Sequence, residues 1–191
     1  MKTKRLKEIS PFLVLLFIIN CSNKKDWNQT DFDETLTQND SIKLMSSFYD
    51  PMEFYNDSLS NNKKTSFVNY DNDNNKNICE AKIINDTINI NIGYSTGFSS
   101  KGFNITYFDK KFSINPYYGT DNIAVFIDEN GKEIQEEPPK HFFNNQKLIL
   151  NKSDYKKGDS IYGFVNFSSL ETNKNQRTNH KGKGYFKTIV Q

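Results

Sequence analysis

The chain has 191 residues, of which 35% are hydrophobic and 14% aromatic, and its formal net charge at pH 7 is +2. This length suits one domain with short extensions. The aromatic content excludes a chain that is disordered throughout, because disordered chains are poor in aromatic and β-branched residues. Four of the 25 basic residues and one of the 23 acidic residues lie in residues 1–20. The rest of the chain is therefore close to neutral, which excludes the basic surface that binding to nucleic acid requires.

Residues 1–20 have the order of an export signal. Four basic residues lie between Lys2 and Lys7, and an apolar run follows over residues 9–19, as in a secretory leader. A helix over this run would be about 16 Å long, which is short for a hydrocarbon core about 30 Å thick. We therefore predict that residues 1–20 are a signal peptide and not a transmembrane helix.

The residues around the predicted cleavage site carry a further motif. Ile18-Ile19-Asn20-Cys21 resembles a lipobox, in which the cysteine is diacylated and becomes the new N-terminus. Asn20 stands at a position where lipoproteins of the Bacteroidota type accept Asn. The resemblance implies lipidation at Cys21, and two or more acyl chains anchor a protein stably to a membrane. The alternative is an ordinary secreted protein in which Cys21 is incidental.

The segment between the lipobox and the main domain is predicted in two parts. Residues 21–40 are polar and have no apolar period, which indicates a tether. Residues 41–64 are predicted to pack on the domain, with a short helix from Ser41 to Phe48. Proline at position 51 would end this helix, because the residue before a proline disfavours helical backbone.

Over residues 65–191 apolar side chains alternate with polar ones, most clearly at Ile88, Ile90 and Ile92. Strict alternation indicates strands with one buried face and one wet face. Eight or nine short strands joined by Asn- and Gly-rich turns predict an all-β domain, an antiparallel β-sandwich of immunoglobulin-like type. Cys79 lies in one of these strands, where a buried and inert thiol is favoured over a reactive one.

The sequence Tyr155-Lys-Lys-Gly158-Asp159 resembles the Tyr-x-x-Gly-Asp turn that enters a strand in many extracellular immunoglobulin-like domains. The resemblance implies that the tyrosine hydroxyl bonds to nearby backbone and fixes the turn. It supports the sandwich fold and implies no chemistry.

Residues 86–190, read together with the lipobox, resemble small uncharacterised lipoproteins of Bacteroidota. The resemblance implies a cell-envelope location, most simply at the outer membrane, and no assigned activity. Bacteroidota also O-glycosylate exported proteins at Asp-Ser/Thr-aliphatic sequences, which this chain contains around residues 41, 58, 87 and 160. The last two are also natural loop-to-strand junctions, so Ser41 and Ser58 are the candidate glycosylation sites.

Aromatic pairs are the candidate binding residues. Tyr117 with Tyr118, and Phe142 with Phe143, are predicted to lie in loops between strands. Exposed, they would stack on sugars or form the centre of a protein interface. Buried, they would close the ends of the sandwich. Residues 128–145, the longest interruption of the strand pattern, are either a functional excursion or a plain connection.

Evidence for a metal or cofactor is absent from the sequence. His141 and His180 are the two histidines, and neither has a cysteine or a ligand-spaced partner nearby in sequence. A zinc site of the usual spacing is therefore not predicted, and no phosphate-binding loop indicates a nucleotide cofactor.

Catalytic motifs are equally weak. Ser153 and Lys156 match a Ser-x-x-Lys spacing, but at a turn they would not share a helix face. Glu136 and Glu137, or either of them with Asp128, would be the carboxylates of a glycosidase, although adjacent surface acids are usually only solvated. The sequence therefore predicts a protein that is not an enzyme.

The pattern as a whole predicts a membrane-anchored envelope lipoprotein with a non-catalytic domain for binding or structural support. Its partner would be a protein or a glycan near the membrane, and not a nucleic acid. An alternative is an envelope immunity or inhibitor protein that docks on a toxin or hydrolase through a loop such as 128–145. A third and weaker alternative is a glycan-acting hydrolase.

Overall fold

In the computed structural model, the described residues are 27–48, 63–73, 77–121, 127, 129–132, 138–173 and 176–191. A 3₁₀ helix over Glu34–Gln38 precedes one α-helix, α1, over Asp40–Met45. No helix in these ranges has the length and apolar character needed to cross a membrane. The strands are β1 Asn28–Gln29, β2 Asp31–Phe32, β3 Asn69–Tyr70, β4 Ile78–Ile84, β5 Thr87–Ser95, β6 Ser99–Phe108, β7 Lys111–Thr120, β8 Lys140–Leu150, β9 Ser160–Asn173 and β10 Gln176–Ile189.

The strands form two five-stranded sheets that pack face to face. The first sheet has the order β1-β7-β6-β5-β4, and the second has the order β2-β8-β9-β10-β3. Every neighbouring pair is antiparallel except β2 with β8. Each sheet is built around one meander, β4 to β7 and β8 to β10, because consecutive strands are joined by turns and short loops. This arrangement confirms the predicted all-β sandwich.

The alternating pattern produces the core directly. Ile88, Ile90 and Ile92 on β5 all point inward and are buried, because successive side chains of a strand face opposite sides of the sheet. Phe103 of the first sheet meets Phe167 of the second, edge to face, with ring centroids 4.8 Å apart. The two sheets thus share one apolar interior, and burial of such side chains contributes about 1.5–3 kcal/mol each.

Two hairpin turns depend on polar residues in left-handed backbone. Asn85 and Asp86 join β4 to β5 with φ of 49° and 61°, and Asp109 and Lys110 join β6 to β7 with φ of 47° and 60°. Two-residue turns with positive φ at both positions match the right-handed twist of the paired strands.

The predicted tether is wrong from residue 28 onward. Residues 28–32 pair with β7 and β8, and the buried side chain of Leu36 in the 3₁₀ helix continues this packing. Helix α1 is shorter than the predicted helix, and it buries Ile42 and Met45. The pairing was missed because strands of two residues are too short to show an alternating pattern.

The turn before β9 has the predicted tyrosine corner. The Tyr155 hydroxyl accepts a hydrogen bond from the Lys152 backbone N–H at 3.4 Å and donates one to Asn151 Oδ1 at 2.8 Å. The same Asn151 oxygen accepts the Tyr162 backbone N–H at 2.9 Å. Gly158 takes the left-handed conformation, with φ of +91°. The resemblance to the Tyr-x-x-Gly-Asp turn therefore predicted this local structure correctly.

Candidate functional site

The predicted modification sites fall partly outside the described residues. Cys21 and Ser58 both lie there. Ser41 lies in the first turn of α1 and is half-buried, and its backbone N–H donates to Asn39 Oδ1 at 2.9 Å. The Asp-Thr-Ile and Asp-Ser-Ile sequences around residues 87 and 160 stand where β5 and β9 begin, as expected of loop-to-strand junctions.

The first aromatic pair lies within strand β7 and not in a loop, so its predicted location was wrong. Tyr117 is half-buried against the outer face of the first sheet, where a Cβ atom on Gly93 or Gly102 would come within 2.7 Å of its hydroxyl. Its hydroxyl and the side chain of Asn91 are hydrogen-bonded. Tyr118 faces the other way and is 70% exposed. Because successive side chains of a strand face opposite sides of the sheet, only Tyr118 of this pair is available to a partner.

The second aromatic pair lies within strand β8, and its predicted loop location was also wrong. Phe142 is 58% exposed. Phe143 packs against the core, with its ring centroid 6.2 Å from that of Phe167. Because β8 already begins at Lys140, the predicted excursion over residues 128–145 is shorter than the sequence suggested. The acidic residues at 128, 136 and 137 lie outside the described residues.

One end of the sandwich carries a group of ionisable side chains that the sequence did not predict. We call His141, Glu171, His180 and Asp71 the histidine cluster. In the β8–β9 ladder His141 stands directly opposite Glu171. In the β9–β10 ladder Glu171 pairs with Thr178, so His180 is its diagonal neighbour two positions along β10. The three side chains meet because residues on one face of paired strands lie close together.

The distances within the histidine cluster are short. Glu171 Oε2 lies 3.0 Å from His180 Nε2 and 3.8 Å from His141 Nε2. One nitrogen or oxygen atom from each of these three residues lies within 4.8 Å of the others. The side chains of His141, His180 and Glu171 are 9%, 11% and 25% exposed. The cluster thus sits just inside the sandwich, with Glu171 on its more open side.

Asp71 contacts the cluster from the side of β10 that pairs with β3. It follows β3 with φ of 47°, and its backbone N–H donates to the Lys181 carbonyl at 2.9 Å. Its Oδ1 atom accepts the Lys181 backbone N–H at 2.8 Å, and its Oδ2 atom lies 2.8 Å from His180 Nδ1. Both oxygens are therefore engaged, which fixes the orientation of the carboxylate.

These contacts and burial shift the pKa values of three side chains in the cluster. The hydrogen bond to Asp71 raises the pKa of His180 above its ordinary value, against the opposing effect of burial, and Glu171 adds to the rise. Burial alone would raise the pKa of Asp71, but hydrogen bonds from His180 and the Lys181 N–H outweigh it and lower that pKa. Burial lowers the pKa of His141. The pKa values of the two histidines are therefore shifted in opposite directions.

Both ring nitrogens of His180 lie beside a carboxylate. An ionised carboxylate only accepts hydrogen bonds. Since His180 Nδ1 meets Asp71 and Nε2 meets Glu171, an imidazolium would donate a hydrogen bond to each carboxylate, in agreement with the raised pKa of His180. The Tyr70 hydroxyl lies 3.1 Å from Nδ1, and its ring stacks on the imidazole with an interplanar angle of 11°. The ring of His180 is thus held in one orientation.

The surroundings of the cluster add one cation and one further anion. Lys101 Nζ lies 3.7 Å from Asp71 Oδ2 and 3.9 Å from Asp73 Oδ2, and Asp73 also accepts a hydrogen bond from the Tyr94 hydroxyl at 3.4 Å. Tyr118 is in register with Lys101 on the adjacent strand. An exposed aromatic side chain therefore lies on the same face of the first sheet as the lysine that contacts the cluster.

Comparison of the chain with models of protein families, with curated proteins and with solved structures gives no match. The interpretation of this end of the sandwich therefore depends on its own geometry.

Neither histidine has a partner close to it in the sequence, and the partners in the structure come from other strands. His141 and His180 are far apart along the chain, and the β8–β9–β10 meander brings both beside Glu171. The usable signal was alternation: Glu171 falls on the inward-facing positions of β9 together with Phe167 and Ser169. A charged residue on a buried face is expected to have a charged or hydrogen-bonding partner, because burial of an unpaired charge is costly.

Proposed function

We propose that this protein is a lipid-anchored protein of the cell envelope whose sandwich is a non-catalytic binding domain held close to a membrane. The observation that carries the proposal is the short distance along the chain between Cys21 and the sandwich. Strand β1 starts at Asn28, so seven residue steps separate it from Cys21. A fully extended chain spans about 3.3–3.6 Å per residue, so these steps reach about 25 Å at most.

This short connection favours a particular mode of action. A long tether would let the domain search a wide volume, whereas about 25 Å keeps it beside the surface to which its lipid is attached. A single acyl chain binds only marginally, so diacylation of Cys21 would be needed for a stable anchor. The domain would then act on a partner that is itself at the membrane.

The exposed aromatic side chains support a binding role. Tyr118 is 70% exposed and Phe142 is 58% exposed, and Phe98 at the β5–β6 turn is 78% exposed. Aromatic side chains of this kind carry much of the binding energy at interfaces with proteins and sugars. They support contact with an envelope partner and require no chemistry from the domain.

The anchor is tested by expressing the full chain and a Cys21→Ser variant in a bacterium of the Bacteroidota. We expect intact mass spectrometry of the envelope protein to show loss of residues 1–20 and a gain of fatty acid, and we expect the variant to leave the membrane fraction. Cys79→Ala is the matched control and should remain anchored. An intact leader, or Cys21 without fatty acid, would contradict the proposal.

The partner is tested by cross-linking in native envelopes, with Tyr118→Ser and Phe142→Ser as surface variants. We expect an envelope component to be captured by the anchored protein, and we expect at least one surface variant to reduce its yield. Recovery of a toxin or hydrolase inhibited by the protein would support the immunity alternative instead. Release of sugars from envelope glycans by the purified protein would contradict a non-catalytic domain.

A further inference from the structure

We propose that the histidine cluster binds a divalent transition-metal ion of the zinc class, with His141, Glu171 and His180 as its ligands. Asp71 is assigned the role of a positioning residue that orients His180. This inference does not depend on the lipid anchor, because all four residues belong to the folded sandwich.

The spacing of the donor atoms fits such an ion. Tetrahedral zinc with bonds of about 2.0–2.1 Å places its ligand atoms about 3.4 Å apart. Glu171 Oε2 lies 3.0 Å from His180 Nε2 and 3.8 Å from His141 Nε2, which are values on either side of that separation. Since the three donor atoms lie within 4.8 Å of one another, small side-chain rotations bring them to a common centre.

Asp71 supplies the contact that metal-binding histidines usually have. Such a histidine donates its second ring N–H to a carboxylate or a carbonyl, and this bond fixes the tautomer and the ring orientation. His180 Nδ1 lies 2.8 Å from Asp71 Oδ2, and Asp71 is itself fixed by the Lys181 N–H. The remaining nitrogen, Nε2, points at Glu171. An ion would take the place of the Nε2 proton.

The hydrogen bonds that are missing around His141 also support a metal site. Its side chain is 9% exposed, and its Nδ1 atom is buried without a hydrogen-bond partner among the described residues. Its Nε2 atom lies 3.8 Å from Glu171, which is too long for a hydrogen bond. A buried imidazole without partners is costly. A metal ion between His141 Nε2 and Glu171 would give that nitrogen a partner, and Nδ1 would keep its buried proton.

The donor set and the local charge select the class of ion. Two imidazoles and one carboxylate suit zinc and its neighbours, whereas magnesium and calcium prefer oxygen ligands alone. The carboxylates of Asp71, Asp73 and Glu171 outnumber the Lys101 ammonium that contacts two of them, so with neutral histidines these side chains together carry a net charge of −2. Three protein ligands leave a fourth position open to water or to a group from a partner.

The competing explanation is a purely structural network, in which a protonated His180 bridges Asp71 and Glu171. Calorimetric titration separates the two. The mature protein is purified without a histidine tag, treated with a chelator that is then removed, and titrated with Zn²⁺ alone. We expect one ion per chain, and no saturable binding of Mg²⁺ at the same concentrations. Absence of saturable Zn²⁺ binding would overturn the proposal.

Variants test which residues are ligands. We expect Glu171→Gln and His141→Gln to weaken Zn²⁺ binding by more than about tenfold, since each removes a donor. Glu80→Gln, at an exposed position of strand β4, is the matched control and should bind as the unaltered chain does. Equal affinity of Glu171→Gln and Glu80→Gln would overturn the assignment.

Asp71→Asn tests the positioning role. We expect it to weaken Zn²⁺ binding by about 10–100-fold, the usual effect of removing such an outer partner. Asp73→Asn removes the same charge, but Asp73 contacts Lys101 and Tyr94 and not His180, so a much smaller loss is expected. Equal losses would mean that charge, and not the orientation of His180, explains the effect.

A direct measurement avoids variants that fail to fold. The chain has two histidines, and both belong to the cluster, so selective ¹⁵N labelling of histidine observes the site and nothing else. Zn²⁺ is expected to shift the ring signals of both residues, with saturation at one equivalent. If either His141 or His180 keeps its metal-free signal at saturation, the proposed ligand set is wrong.

Discussion

Asp71 Oδ2 lies 2.8 Å from His180 Nδ1, although 109 positions separate the two residues in the chain. This contact joins the turn after β3 to the inner face of β10, where β3 and β10 already pair at Tyr70 and Gly182. It also raises the pKa of His180. One bond therefore links the closure of the second sheet to the charge of the candidate site.

Asp71→Asn is expected to lower the free energy of unfolding at pH 7. The variant weakens a hydrogen bond between charged groups, a contribution of about 1.5–3 kcal/mol, and the Asp71 side chain is only 14% exposed. Urea unfolding monitored by circular dichroism measures the change. Asp73→Asn, whose side chain is 32% exposed, should cost less. An unchanged urea midpoint for Asp71→Asn would contradict the structural role of this contact.

The two histidines are expected to give opposite pH dependences in the presence of a chelator. His180 has a raised folded-state pKa, so its contribution is complete below the unfolded value of about 6.5 and is lost as pH rises through the raised value. His141 has a lowered pKa, so its contribution is present above about pH 6.5 and is lost as pH falls through the lowered value.

Urea unfolding at a series of pH values isolates each histidine. His141→Gln retains His180 and should become less stable as pH rises above about 6.5. His180→Asn retains His141 and should become more stable as pH rises toward about 6.5. If the stability of both variants changed with pH in the same direction, at least one of the assigned pKa shifts would be wrong.

Most of the fold was predictable because it depends on a local pattern. Alternation at Ile88, Ile90 and Ile92 is visible in the sequence, and the same residues form the core. The tyrosine corner at Tyr155 was predictable for the same reason, since its partners Asn151 and Lys152 lie within a few residues. Such features need no knowledge of which strands become neighbours.

The candidate site was not predictable, because it depends on the pairing of distant strands. Asp71 reaches His180 only when β3 pairs with β10, and β3 has two residues and no readable pattern. Tyr118 and Phe142 were predicted to lie in loops between strands, although both lie in long strands. The register between strands decides these positions, and one sequence gives little information about register.

Gly163→Ala is expected to destabilise the sandwich strongly. A Cβ atom at Gly163 would lie 2.1 Å from Cζ of Phe186, whose side chain is fully buried and cannot move into solvent. Overpacking of this kind costs about 1–3 kcal/mol, which thermal unfolding would detect as a lower Tm. At Gly119 a Cβ atom meets only the side chain of Ser100, so Gly119→Ala is the matched control. Equal Tm values for both variants would contradict the predicted packing.

The Cys79 thiol is expected to be unreactive in the folded protein. It is 2% exposed, and burial raises its pKa, so little of the reactive thiolate forms. A chromogenic thiol reagent should find no reactive thiol in the folded lipidated protein and one in denaturant, if Cys21 carries the lipid. Rapid reaction of Cys79 without denaturant would show that this strand opens readily.

X-ray diffraction from crystals soaked in Zn²⁺, measured on both sides of the zinc absorption edge, tests the metal site most directly. We expect a single strong anomalous peak between His141, Glu171 and His180, with Asp71 bonded to Nδ1 of His180. An anomalous map without a peak at this position, from crystals in which zinc is bound elsewhere or not at all, would contradict it.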